Sequence, residues 1–291
     1  MGKKILIGMF RILLELTKFR ISFLVTLSSS AGFILARREI STDIFMPILG
    51  IFLLAGGSCG LNQYQERQID SLMARTRSRP VPSGRMRART ALLISLTLIL
   101  LGSSTIFYEG GWTALGLGLF AVGWYNGFYT YLKKKTALAA VPGALIGAIP
   151  PALGWVCGGG TLLDSRIWAI AFFFFIWQVP HFWLLFLDFA EDYERAGLPS
   201  LRKIFTPEQL RRIVFLWILS TAVSSLSIPL FGFVNSYPAL VLLLVGTFWI
   251  IWNGMGFLRT YSDGISLKTV FTRLNAYAFA VILLLSLDVI Y

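Results

Sequence analysis

Nine apolar runs, each long enough to cross the roughly 30 Å hydrocarbon core of a bilayer, leave this chain little choice of solvent. They fall at about 20–37, 44–66, 90–108, 112–132, 137–157, 166–187, 210–232, 237–257 and 270–289. In lipid each backbone N–H and C=O must be satisfied within its own segment, so each run is expected to be a helix. Charged residues make up 14% of the chain, against about 25% in soluble domains. The expected fold is an all-α polytopic membrane protein of nine transmembrane helices, folded as a single domain over 1–291.

The net charge of +12 does not point to nucleic acid, because the basic residues are parcelled into short segments between the apolar runs. One side carries Lys3, Lys4 and Arg11, then six arginines at 75–89, then Lys133, Lys134 and Lys135. Arg195, Arg202, Lys203, Arg211, Arg212, Arg259, Lys268 and Arg273 follow on that side, while the other offers Arg37, Arg38 and Arg166. Lys and Arg concentrate in cytoplasmic loops. The pattern predicts a cytoplasmic N-terminus and, with an odd number of helices, a C-terminus outside. Residues 1–18 lack a small-residue cleavage site and the Ser-rich character of a transit peptide, so they read as an interfacial amphipathic helix. Cys59 and Cys157 have no paired spacing, which gives neither a disulfide framework nor a zinc site.

Chemistry concentrates in LNQYQERQIDSLMARTRSRP, residues 61–80. Asn62, Glu66 and Asp70 recur at every fourth position, which places them on one helix face. Two carboxylates one turn apart repel, so a cation is expected between them. Oxygen-only donors suit a hard ion such as Mg²⁺. Arg75, Arg77, Arg79, Arg85, Arg87 and Arg89 follow, and acids beside arginines suit a metal-bound phosphate or diphosphate. Taken alone, the stretch fits equally well as a helix end with topogenic arginines.

A second acidic pair, Asp188 and Asp192, repeats the four-residue spacing at the end of the sixth run. Both members lie the same distance down the chain from Glu66 and Asp70. Matching pairs at equivalent ends of two spans suggest two similarly oriented halves facing each other across a cavity open to the cytoplasmic side. Intramembrane carboxylates are costly unless paired or metal-bound. A transporter would instead place polar residues through the membrane midplane.

Few other polar residues enter the runs. His181, the only histidine, stands in WQVPHFW. A single histidine in an apolar helix ordinarily serves as a structural hydrogen-bonder, but Gln178 one turn away and Pro180 beside it favour a functional role. Pro180 is expected to kink its helix. Tyr129 and Lys133 share a face, and Lys133 is either topogenic or reaches a phosphate. The run at 143–155 is rich in small residues that allow close helix contact, and Pro150 and Pro151 suggest a broken helix there. The aromatics, Phe172 to Phe175 among them, pack against lipid or neighbouring helices, and a few could line a pocket for an isoprenoid tail.

Taken together, these residues resemble the UbiA superfamily of intramembrane prenyltransferases, whose paired motifs are NxxxDxxxD and DxxxD. The resemblance runs from LTKFRI (16–21) through NQYQERQID, MARTRSRP, YTYLKKKT (129–136), GAIPPALGW and WQVPHFW to DYERAGLP (192–199), about two thirds of the chain. Within the superfamily it is nearest the haem-modifying branch. Glu66 replaces the usual aspartate, Gln68 an acid and Phe19 a proline. Ala139 stands where asparagine is common, and SLRKIF at 200–205 departs from the branch pattern.

The resemblance implies a Mg²⁺-dependent transferase with farnesyl diphosphate as donor and haem b as acceptor. It implies Asn62, Glu66, Asp70, Asp188 and Asp192 as metal-holding catalytic residues, and Arg75, Arg79, Tyr129 and Lys133 as diphosphate-binding ones. It puts Gln178 and His181 on the acceptor side. It further implies cytoplasmic active-site segments at 67–89 and 188–209, residence in the cell's inner (plasma) membrane, and association with haem A synthase or a terminal oxidase assembly. The departures leave open a UbiA-type enzyme acting on another acceptor, an aromatic ring or a lipid alcohol.

Overall fold

The computed structural model describes residues 2–259 and 266–290, and every regular element among them is helical. The side chains of Lys3, Lys4 and Arg259, part of the topology reading, lie outside the described ones. α1 (Gly2–Leu16) precedes the first spanning helix, α2 (Phe19–Arg37), and α3 (Phe45–Leu72) follows. α4 (Ala88–Val122) runs through a π-helical segment, Gly123–Tyr129, into the short α5 (Thr130–Leu132). α6 (Ala140–Gly143) leads to α7 (Leu145–Cys157), and α8 (Ser165–Asp188) to the short α9 (Ala190–Arg195). α10 (Pro207–Ser227), α11 (Tyr237–Arg259) and α12 (Leu267–Asp288) complete the order.

Among the described residues eight helical stretches are long and apolar enough to cross a membrane, and the nine runs of the sequence map onto them. The stretch Ala88–Leu132 has 45 residues. A straight helix of that length would be about 68 Å long, more than twice the hydrocarbon thickness. It breaks at Gly111 (φ 65°, ψ −158°), a left-handed position open to glycine. A Cβ on Gly102 would lie 2.6 Å from the Leu54 nitrogen, and one on Gly118 2.9 Å from Leu54 Cδ2. Both arms therefore meet α3 at one level, and the stretch covers two of the nine apolar runs, 90–108 and 112–132.

Close packing at small residues sets the helix arrangement. Added Cβ atoms would come 1.8 Å from the Ser29 carbonyl oxygen at Gly154 and 2.0 Å from the Pro151 carbonyl oxygen at Gly32. Backbones of α2 and α7 thus touch directly, as small residues permit in lipid. α12 packs against α8, α11 and α2, so the last helix lies beside the first spanning one. A buried cluster, Tyr277 Oη with Thr247 Oγ1 at 2.9 Å and with Ser225 Oγ, ties α10, α11 and α12 together. Outward faces are apolar, with Leu93, Leu100, Val245 and Phe248 exposed.

Two local expectations need correcting. The stretch at 137–157 is broken, but at Ala144, between α6 and α7; Pro150 and Pro151 lie inside α7. Asp188 and Asp192 do not share one helix face, because α8 stops at Asp188 and Phe189 (φ −110°, ψ 23°) turns the chain into α9. Pro180 lies inside an uninterrupted α8.

Candidate active site

α3 carries its apolar run straight into Asn62, Gln63, Glu66 and Asp70, all buried, with Asp70 only 1% exposed. Burying carboxylates is costly unless they are paired and hydrogen-bonded, and each of these is. Asn62 Nδ2 donates to Glu66 Oε2 at 3.0 Å and to Thr130 Oγ1 at 3.1 Å. Lys18 Nζ donates to Asn62 Oδ1 at 2.8 Å. Arg79 Nη1 donates to Asp70 Oδ2 at 2.7 Å, and the Thr76 hydroxyl to the Asp70 carbonyl at 2.8 Å. Lys133 Nζ sits 2.7 Å from both Glu66 oxygens, but only Oε2 receives its hydrogen bond. Oε1 is buried and accepts none.

Local backbone features aim these cations. Lys18 (φ 47°, ψ 55°) takes a left-handed conformation between α1 and α2. Gln63 Nε2 donates to the carbonyls of Glu15 and Leu16 at 2.7 and 2.9 Å, anchoring that corner on α3. The π-helical segment, a form frequent at functional sites, is locked by Asn126. Its Nδ2 donates to the Ser58 carbonyl and Gln65 Oε1, and its Oδ1 accepts from Ser58 Oγ at 2.6 Å. Thr130 and Lys133 consequently face Asn62 and Glu66. Half-buried Lys18 has its pKa pushed down to about 8, by burial first and then by the nearby positive charges of Arg79 and Lys133, against the pull of Glu66.

An aromatic wall runs from this cluster to the second acidic segment. Tyr125 stacks on Tyr129 (6.0 Å), Tyr129 on Phe182 (5.6 Å) and Phe182 on Phe186 (6.0 Å), which meets Tyr193 at 5.2 Å. Lys133 Nζ lies 5.7 Å from the Tyr129 ring centre. At the far end Asp192 accepts backbone N–H bonds from Ala74 (3.3 Å) and Arg75 (3.1 Å), linking the segments at 67–89 and 188–209. The Arg75 guanidinium packs over Phe189 at 4.6 Å. Asp188 is exposed and makes no hydrogen bond or ion pair among the described residues.

Asn62, Glu66, Asp70, Arg79, Tyr129 and Lys133 are thus together, with Asp192 and Arg75 joined to them through the loop at 74–75. Gln178, beside Gly147, and His181, on Asn275, sit across the aromatic wall. The oxygen donor set suits a hard cation, and Glu66 Oε1, ion-paired with Lys133 but accepting no hydrogen bond, keeps a buried lone pair for one. Among the described residues no three His, Cys, Asp or Glu side chains converge enough to hold a metal alone. Mg²⁺ is commonly bound by one or two carboxylates plus substrate phosphates, which fits such an arrangement. Sequence reasoning missed roles for Lys18, Asn126, Thr130 and Asn275. Asn126 and Asn275 carried the one usable signal, amides set among apolar residues.

A model of the UbiA prenyltransferase family matches residues 24–285. The chain belongs to the UbiA prenyltransferase family. Among curated relatives of this family member, the protoheme IX farnesyltransferase of Geobacter sulfurreducens is 39% identical over 223 residues, covering 75% of this chain and 81% of that one. The protoheme IX farnesyltransferase of Rhizobium meliloti is 33% identical over 281 residues, covering 94% and 88%. Solved UbiA folds also superpose. A digeranylgeranylglyceryl phosphate synthase does so at TM-score 0.77 and 16% identity, covering 97% and 98%. A UbiA homologue from Archaeoglobus fulgidus bound to DMAPP and Mg²⁺ does so at 0.71 and 15%, covering 96% and 98%. The chain is therefore a multi-pass, all-helical membrane prenyltransferase.

Proposed function

We propose that this UbiA-family enzyme transfers the farnesyl group of farnesyl diphosphate to a vinyl group of protohaem IX, giving haem O. The observation that carries the reading is the buried Asn62–Glu66–Asp70 face, ringed by Lys18, Arg79 and Lys133, in a chain whose 33–39% identical relatives are named for that reaction. Expression in a bacterial host deleted for its own haem-farnesylating enzyme tests it. Farnesylated haem should reappear in the membranes, whereas a prenylated aromatic quinone precursor there would move the acceptor to another class.

Asn62, Glu66, Asp70, Asp188 and Asp192 would hold Mg²⁺, which supplies positive charge to the departing diphosphate when bound. Lys18, Lys133, Arg79 and Arg75 neutralise the same leaving group as the allylic C–O bond breaks. Tyr125, Tyr129, Phe182 and Phe186 keep water from the farnesyl cation, and their ring faces attract it. The vinyl terminus attacks the cation; water then adds at the adjacent carbon and loses a proton, leaving the hydroxyethylfarnesyl group. The basic loops support a donor site on the cytoplasmic side of the cell's inner membrane.

Lys18 gives this reading a pH signature. It is cationic below about pH 8, so farnesyl diphosphate affinity should hold on the acid side and fall about tenfold per pH unit above it. Binding should also take up a proton near pH 8, because the diphosphate raises the ammonium pKa. Lys18→Arg, charged throughout, should flatten the profile in calorimetric titrations. An unchanged profile would remove Lys18 from the donor site.

A further inference from the structure

His181 is the chain's only histidine, and the donor site does not use it. Its Nδ1 lies 2.7 Å from Asn275 Oδ1 on α12. The Asn275 amide nitrogen already donates to the Phe271 carbonyl at 2.6 Å, which fixes Oδ1 as the end facing the imidazole. Oδ1 can only accept, so His181 Nδ1 carries the proton. In the neutral ring, the form that binds metals, Nε2 then carries the free lone pair. Nε2 makes no hydrogen bond among the described residues and is not sealed from the surrounding space.

The surroundings suit a flat apolar partner. Trp177 and Phe271 meet the imidazole at 4.9 and 4.8 Å, and Phe182 meets it edge-on at 5.9 Å. All four rings and Asn275 are half-buried, along the seam between α8 and α12. The Trp177 indole N–H is buried without an acceptor, a second polar atom left unpaired beside the histidine. Phe182 also stacks on Tyr129, so His181 meets a ring of the donor-site wall directly.

We infer that His181 Nε2 is the axial ligand docking the iron of an iron–porphyrin acceptor in the α8–α12 seam. Asn275 is the positioning residue that sets the imidazole tautomer, since a hydrogen-bond acceptor on the second ring nitrogen orients a ligating histidine and raises its basicity. This assignment rests on the haem acceptor proposed above and adds how that acceptor is held.

Tag-free protein in detergent micelles, titrated with ferric and ferrous protohaem and read by absorption and resonance Raman, tests it. With a single histidine in the chain, an iron–imidazole stretch in the ferrous complex can come only from His181. Wild type should show that stretch. His181→Ala should lose it together with at least about tenfold in haem affinity, and His181→Gly should regain it when imidazole is added. Asn275→Leu should keep the ligation but shift the stretch frequency; an unshifted frequency would end its positioning role. Retained farnesyl diphosphate binding reports that each variant is folded. A wild-type complex that lacks the stretch yet makes farnesylated haem overturns the ligation alone. No haem binding and no haem product from wild type overturns the ligation and the acceptor together.

Discussion

Asp188→Asn is expected to lower turnover about 10²–10³-fold, the cost of removing one group that stabilises transition-state charge, while leaving the melting temperature unchanged. Stability should be spared because Asp188 is exposed and unpaired among the described residues, so its charge has no partner to strand. Asp70→Asn should also lower turnover at least as far, but at a price in stability. Asp70 is buried against Arg79, and breaking a buried pair costs about 3–5 kcal/mol. Diphosphate release under saturating donor, measured beside thermal unfolding, separates the two effects. Near-normal release from Asp188→Asn would take that residue out of the metal–diphosphate site.

Gly154→Ala is expected to destabilise the fold by about 3 kcal/mol, at the upper end for overpacking, lowering the melting temperature by roughly 6–12 °C. The new methyl would sit 1.8 Å from the Ser29 carbonyl oxygen, a backbone atom that cannot rotate away. α2 and α7 would have to separate, and α2 follows directly on the Lys18 corner, so donor affinity should fall with stability. Gly116→Ala, where nothing beyond the adjoining backbone of its own helix lies within 4 Å of the added carbon, is the control and should melt with wild type. Equal melting of both variants in thermal scans would contradict direct backbone contact between α2 and α7.

Much of this was legible in the sequence, for reasons particular residues make clear. Helix length against bilayer thickness fixes the spans, and a period of 3.6 puts Asn62, Glu66 and Asp70 on one face. The runs at 90–108 and 112–132 end on either side of Gly111, where the 45-residue stretch breaks. What could not be read were contacts made by packing between distant segments. Lys18 meets Asn62 across 44 positions, Thr130 meets it across 68, and His181 meets Asn275 across 94. Spacing carries no information about such pairs. The π-helical shift that turns Thr130 and Lys133 toward α3 has no signature in GWYNGFY. The four-residue rule failed at Asp188 and Asp192 because it presumes a continuous helix, and α8 ends between them. Pro150 and Pro151 misplaced the break at 137–157 because α7 keeps both prolines inside it and the chain yields earlier, at Ala144.

The most direct test gives the purified protein Mg²⁺, farnesyl diphosphate and haem b, with an aromatic quinone precursor present as a competing acceptor. Pigments and lipids are then separated and weighed by mass spectrometry. The predicted product is a haem heavier by a hydroxyethylfarnesyl group, formed with Mg²⁺, lost with EDTA and restored when Mg²⁺ is returned. A farnesylated aromatic with unmodified haem, or haem product undiminished by EDTA, would contradict the account.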